Sequence, residues 1–150
     1  MTTDAWLAVI HHVAVFSLAA ALAAQWSLNR PGLSAADVRR LARIDAAYGT
    51  LIGVVIAAGV SRVIWGVKPA DFYLDSATFW LKMVSLAVVV VLSIRPRLRH
   101  AAWRRAVDTD PSALPPDHVV TAAHRIINVQ LAVFVLIPIF AALMARGIGN

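Results

Sequence analysis

The sequence contains no cysteine and no glutamate. Without thiols there are no disulfides, iron–sulfur clusters or thiolate nucleophiles, and no covalent attachment of a c-type haem. All eight acidic residues are aspartates, and none lies deep in an apolar run, so a Mg²⁺ or Ca²⁺ site lacks the oxygen ligands it needs. Zinc asks for three or four His, Cys or carboxylate ligands at one place, which the adjacent pair His11 and His12 does not supply. Copper held by His with Met83 or Met144 has no methionine-rich motif behind it. Charge is scarce as well, at 15% of residues against about 25% in soluble domains. What fills the chain is apolar: 60% hydrophobic residues and a mean hydropathy of +0.73. A water-soluble globule of 150 residues could not hide that much apolar side chain. A soluble enzyme, a disordered tail and a solenoid are excluded, and the chain reads as an integral membrane protein.

A span needs roughly 20 apolar residues to cross the hydrocarbon core. Four stretches qualify, at 5–28, 46–65, 77–94 and about 128–145, which predicts an all-α fold, a four-helix transmembrane bundle forming one domain over 1–150. Ala21-Leu22-Ala23 imitates a signal-peptide cleavage site, but the first run is too long and begins with Asp4 rather than a basic residue. The net charge of +6 sits beside the spans, not on a nucleic-acid face. Arg30, Arg39, Arg40 and Arg43 follow the first span, and Arg95, Arg97, Arg99, Arg104 and Arg105 follow the third. The middle connection has only Lys68 against Asp71 and Asp75. The positive-inside rule then places the arginine-rich connections in the cytoplasm and both termini on the periplasmic side of a bacterial inner membrane. Helical extensions are expected over 34–45, started by a Ser34/Asp37 capping box, and over 117–127, with Asp117 capping after Pro115-Pro116. The basic stretch 95–106, with Leu98 and Trp103, reads as lying on the membrane surface. Residues 108–116 read as a loop.

Polar residues in a span carry the information, because each costs free energy unless it faces the bundle interior or water. His11 and His12 sit six and seven residues into the first span, about 10 Å at 1.5 Å per residue. Arg62 lies near the outer end of the second span and Lys82 near the outer start of the third, so three helices bring basic groups to similar depth. Adjacent helix positions differ by about 100°, so only one of the two histidines faces inward, and periodicity does not decide which. Lys82, Ser85 and Ser93 share a stripe of the third span. Trp6, Trp65, Tyr73 and Trp80 suit an interfacial aromatic belt. Gly49, Gly53, Ala57 and Ala58 offer small surfaces for helix packing. A second polar cluster gathers toward the cytoplasm from Gln25, Arg43, Asp45, Tyr48, His124, Arg125 and Asn128, with Asp45 expected to meet Arg125. Gln130 and Pro138 are the remaining oddities of the last span.

Non-covalent haem b is the cofactor these residues suit best, since a helical bundle can hold haem through an imidazole. His11 or His12 would be the axial ligand to iron. The iron would stay five-coordinate, take Lys82 or Met83 as a weaker second ligand, or borrow a histidine across a dimer. Arg62, Lys68 and Lys82 would meet the propionates, and Trp65, Phe79 and Trp80 would line the ring. The strings His11-His12-Val13-Ala14-Val15-Phe16, Arg43-Ile44-Asp45-Ala46-Ala47-Tyr48-Gly49 and Phe79-Trp80-Leu81-Lys82, with the ending from Ile137-Pro138 to Gly147, resemble an uncharacterised family of four-span bacterial membrane proteins. More distantly, His11 or His12, Trp80 with Lys82, and Arg125 with Asn128 resemble the haem-containing four-helix protoporphyrinogen oxidases of bacteria, although Val129 stands where that family has glutamate. The second resemblance implies haem b and porphyrin oxidation.

The leading expectation is therefore a haem b protein that transfers electrons or oxidises a lipophilic or porphyrin-like substrate near the outer leaflet, as an oxidoreductase if it is an enzyme. Its partners would be the bilayer, a second copy of the chain as a dimer, and a quinone or redox protein, with no nucleic acid. The alternatives are a non-enzymatic membrane subunit packing through its Gly/Ala faces, and a small oligomeric transporter with Arg62 and Lys82 lining an anion route.

Overall fold

The structure, a computed structural model, describes residues 3–149. They form α1 (Thr3–Leu28), α2 (Ala35–Trp65), α3 (Ala70–Leu74), α4 (Ala77–Thr109) and α5 (Asp117–Ala145), with no strand among the described residues. All but α3 are long and apolar enough to cross a membrane. The protein is thus an all-helical, multi-pass membrane bundle.

The ends of the helices follow from local chemistry. Ser34 accepts from the Asp37 amide through its hydroxyl, and the Asp37 carboxylate accepts from the Ser34 amide, closing a reciprocal cap on α2. The preceding turn uses Gly32 at φ +83°, in the left-handed region that glycine enters without steric cost. The start of α4 has no side-chain cap of this kind. Its free amide is met instead by the C-terminal tail: Ala77 N–H donates to the Gly149 carbonyl at 2.8 Å, and the Thr78 hydroxyl donates to the Ile148 carbonyl at 3.0 Å. Between α4 and α5, the Asp110 carboxylate accepts from the Ser112 amide and hydroxyl. Those bonds, led by the hydroxyl, hold the Asp110 carboxyl below its usual value.

Two antiparallel hairpins, α1–α2 and α4–α5, are the most closely packed pairs, and they join through α2 against α4 and α1 against α5. Both described ends of the chain therefore lie at one end of the bundle, and the arginine-rich connections lie at the other. Ala14, Leu18 and Leu22 repeat every four residues on α1 and pack on Tyr48, Ile52 and Val55 of α2, Val89 of α4, and Ile127 and Phe134 of α5. Large apolar residues also face out, such as Phe16 at 72% exposed and Val91 at 64%, which is how a lipid-facing surface differs from a soluble one. Lipid tails are as apolar as leucine, so close packing and interhelical hydrogen bonds hold the helices together.

Three features differ from the sequence-based expectation. Residues 95–106 do not form a separate surface helix. They continue α4 unbroken through Pro96, with His100 and Val107 buried, because one face of this basic stretch is apolar enough to pack on α2 and α5. Asp117 does not cap α5, whose N-cap position is Pro116. Its carboxylate accepts instead from the Gly32 amide at 3.0 Å, tying the α1–α2 turn to α5. Tyr73 is buried and packs on Phe72 and Phe79, while Trp6, Trp65 and Trp80 are exposed.

Candidate functional site

At the end that carries residues 3 and 149, α1, α2 and α4 each contribute one basic group to a shared cluster. Arg62 of α2 and Lys82 of α4 are charged neighbours of His11 on α1, and Arg62 is also the charged neighbour of Lys82. The structure separates the two histidines. His11 turns toward α2, where its ring comes within van der Waals range of the position a Gly59 side chain would occupy. His12 is exposed, and its Nδ1 is 2.6 Å from the Ala8 carbonyl of its own helix. Of the described candidates at this end, Trp80 also turns away: the residue is 52% exposed and its indole N–H donates to the Leu74 carbonyl.

The chemistry of this cluster is defined by what its groups do not have. His11 Nδ1 and Arg62 Nε are buried without a hydrogen-bond partner. Among the described residues every ion pair lies at the other end of the bundle, so no carboxylate neutralises Arg62 or Lys82 within 4 Å. The Lys82 ammonium sits 5.1 Å from the centre of the Phe79 ring, a weak partner for a cation. An imidazole whose Nδ1 is unpartnered and two cations with no carboxylate within 4 Å among the described residues could together hold a ligand that brings a Lewis-acidic metal and carboxylates. A bare metal ion is less suited: among the described residues no three His, Asp, Cys or Glu side chains gather closely enough to hold one.

The arginine-rich half holds a second, denser polar system. Asp45 is 6% exposed. It accepts from Gln25 at 3.3 Å, and its carboxylate lies 3.5 Å from both Arg97 Nε and His100 Nδ1. One turn further into the bundle, Gln130 donates to the Tyr48 hydroxyl at 2.7 Å and to the Val89 carbonyl at 3.2 Å. Trp26 donates to Asn128, its ring lies tilted 5.8 Å from that of His124, and the Arg30 guanidinium is 5.2 Å from its centre. The Arg97 guanidinium occupies the space a side chain at position 49 would need, so Gly49 is what lets this arginine cross α2. Arg43 and Arg125 are exposed and take no part: the partner of Asp45 is Arg97 of α4, not Arg125 of α5.

Sequence reasoning missed Arg97 and His100. The signal was present, since Val89, Ser93, Pro96, His100 and Val107 form one inward stripe of α4. Stopping the helix before Pro96 hid it. The two polar systems are also well separated. Trp26 lies fifteen residues along α1 from His11, about 22 Å at the helical rise, with Ala14, Leu18 and Leu22 between them. The residues that resemble the haem-containing oxidases are thereby divided, His11 and Lys82 at one end and Arg125 and Asn128 at the other.

A family model described as a predicted membrane protein, DUF2214, matches residues 3–149, nearly the whole chain. No curated protein and no solved structure matches it.

Proposed function

We propose that this chain, which belongs to the DUF2214 family of membrane proteins, binds haem b and has a redox role. The observation that carries this reading is the cluster of His11, Arg62 and Lys82, in which His11 Nδ1 has no hydrogen-bond partner and, among the described residues, no carboxylate lies within 4 Å of either cation. Haem b supplies a one-electron iron centre when bound. His11 would donate a lone pair to the iron, and Lys82 would serve as second ligand or as a charge partner. Arg62, which has no carboxylate within 4 Å among the described residues, would neutralise a propionate. The apolar layer of Ala14, Leu18 and Val55 beneath the cluster keeps water from reaching it through the bundle. A lipophilic substrate, a quinone or a redox protein would meet the site from the membrane or its outer surface.

The test is an absorption spectrum of the detergent-purified protein before and after dithionite, with a pyridine haemochrome assay. A Soret band with sharp reduced bands is expected, abolished or shifted in His11→Ala and kept in His12→Ala. Protein that stays colourless when expressed and incubated with ample haem overturns the reading.

The same reading places the arginine-rich connections in the cytoplasm of a bacterium and both termini in the periplasm. A C-terminal alkaline phosphatase fusion is then expected to be active and a C-terminal green fluorescent protein fusion dark. The reverse pattern would put His11 near the inner leaflet. A second reading, a non-enzymatic subunit, is favoured by Gly53, where a side chain would meet nothing within 4 Å. That open surface, with exposed Thr50 and Ala57 beside it, would let a second helix approach closely. A colourless protein that elutes as a stable dimer would support this second reading.

A further inference from the structure

Two cavities lie end to end between α2 and α4 in the arginine-rich half, sharing Arg97 and Leu98. The first, of about 260 Å³, is walled by Ile52, Val90 and Ile94, and its only polar lining is Ser93 and Arg97. The Ser93 hydroxyl already donates to the Val90 carbonyl at 2.6 Å, so this part of the groove presents an oily wall. The second, of about 500 Å³, is lined by Arg97, Arg104 and Arg105 together with Asp45 and Asp108. Ile94 and Leu98, at the junction, are 50% and 68% exposed, so the groove opens sideways toward lipid. From Val90 to Arg105 is fifteen residues, about 22 Å along α4. The wall changes from apolar to cationic where the apolar run of α4 ends, at Ile94 and Arg95.

The charge in the cationic part is not balanced internally. Asp45 is engaged by Gln25, Arg97 and His100, and Asp108 is held by Arg39 at 2.7 Å and Arg104 at 3.5 Å. The lining thus sets three guanidinium groups against two carboxylates, one of them also held by Arg39, and among the described residues Arg105 has no carboxylate within ion-pair distance. Each guanidinium carries five donors in a fork that suits phosphate. The groove therefore asks for a ligand with an anionic head and an apolar chain, in that order along the membrane normal.

We propose that the α2–α4 groove binds an anionic phospholipid, its phosphate held by Arg104 and Arg105 and one acyl chain lying along Ile52, Val90 and Ile94. This site is separate from the His11 cluster and stands whether or not haem is bound. It also differs from the general attraction of a basic segment to an anionic surface, because the acyl wall and the arginines belong to one cleft.

The test is native mass spectrometry of the full chain in detergent with added phosphatidylglycerol, or with phosphatidylcholine of the same acyl chains. Phosphatidylglycerol is expected to be retained preferentially. Arg105→Gln is expected to cut that preference by about fivefold, the effect of one basic charge near a membrane surface. Arg95→Gln removes the same charge from the same helix but outside the groove, and is expected to leave the preference unchanged. Equal retention of the two lipids overturns the proposal, as does equal loss in Arg95→Gln and Arg105→Gln. Binding of soluble glycerol 3-phosphate as tightly as phosphatidylglycerol would show a plain anion site and overturn the lipid assignment. Both arginines are exposed, so neither substitution disturbs the core.

Discussion

A Tyr48→Ala protein is expected to lose about 4 kcal/mol of stability, the range found when a large buried aromatic is truncated. Tyr48 is fully buried, among the largest side chains that are, and it stands where the apolar core meets the polar half. Alanine would leave a cavity bounded by Leu18, Leu22 and Ile52 in a bundle held together mainly by close packing. It would also take away the hydroxyl that receives the Gln130 amide. The two contributions separate in Tyr48→Phe, which keeps the ring. There Gln130 retains the Val89 carbonyl, so the loss is expected to stay near about 1 kcal/mol. Thermal or denaturant unfolding in detergent reads both. If alanine proves as mild as phenylalanine, the ring does not pack as described.

Asp45→Ala is expected to cost about 3 kcal/mol, the lower end of what breaking a buried ion pair costs. The lower end applies because Arg97 is 43% exposed in its side chain and can turn to water, whereas His100 and Gln25 are buried and cannot. His100 shares the loss: its ring is 1% exposed and neither nitrogen makes a hydrogen bond, so the carboxylate 3.5 Å from Nδ1 is the polar group that compensates its burial. Asp45→Asn, which keeps the oxygen for Gln25 and gives up the charge, should fall between alanine and the native protein. A double-mutant cycle with His100→Leu measures the coupling directly. A coupling indistinguishable from zero would mean that the 3.5 Å approach of His100 to Asp45 contributes nothing to stability.

The polar half illustrates how far a chain of this kind can be read before it folds. Asp45, Tyr48, His124 and Asn128 are conspicuous in the sequence because a polar group near lipid demands a partner. Which partner each takes depended on α4. Pro96 removes one amide donor, and a proline inside a helix normally ends or kinks it. Here the helix runs on to Thr109, because Pro96, His100 and Val107 find buried places between α2 and α5. That continuation brings Arg97 and His100 to Asp45 and leaves Arg125 outside. At the other end, the equal depth of His11, Arg62 and Lys82 follows from span lengths alone, so their meeting was legible. Which histidine faces inward was not: a 100° step between neighbours says only that they differ, and the rotation of α1 against α2, set by Ala14, Leu18 and Leu22 on Tyr48, Ile52 and Val55, chooses His11.

The sequence by itself determined the class of molecule, the number of spans, the reciprocal cap on α2 and the depth of the basic residues, since these follow from apolar run length, local hydrogen bonding and a fixed rise per residue. The tertiary structure alone decided the partners of Asp45, the orientation of the histidine pair, the C-terminal tail over the start of α4 and the groove between α2 and α4. Those depend on how each helix is turned about its axis and which helices stand side by side. Both are outcomes of packing among all four spans and are absent from the local pattern of any one.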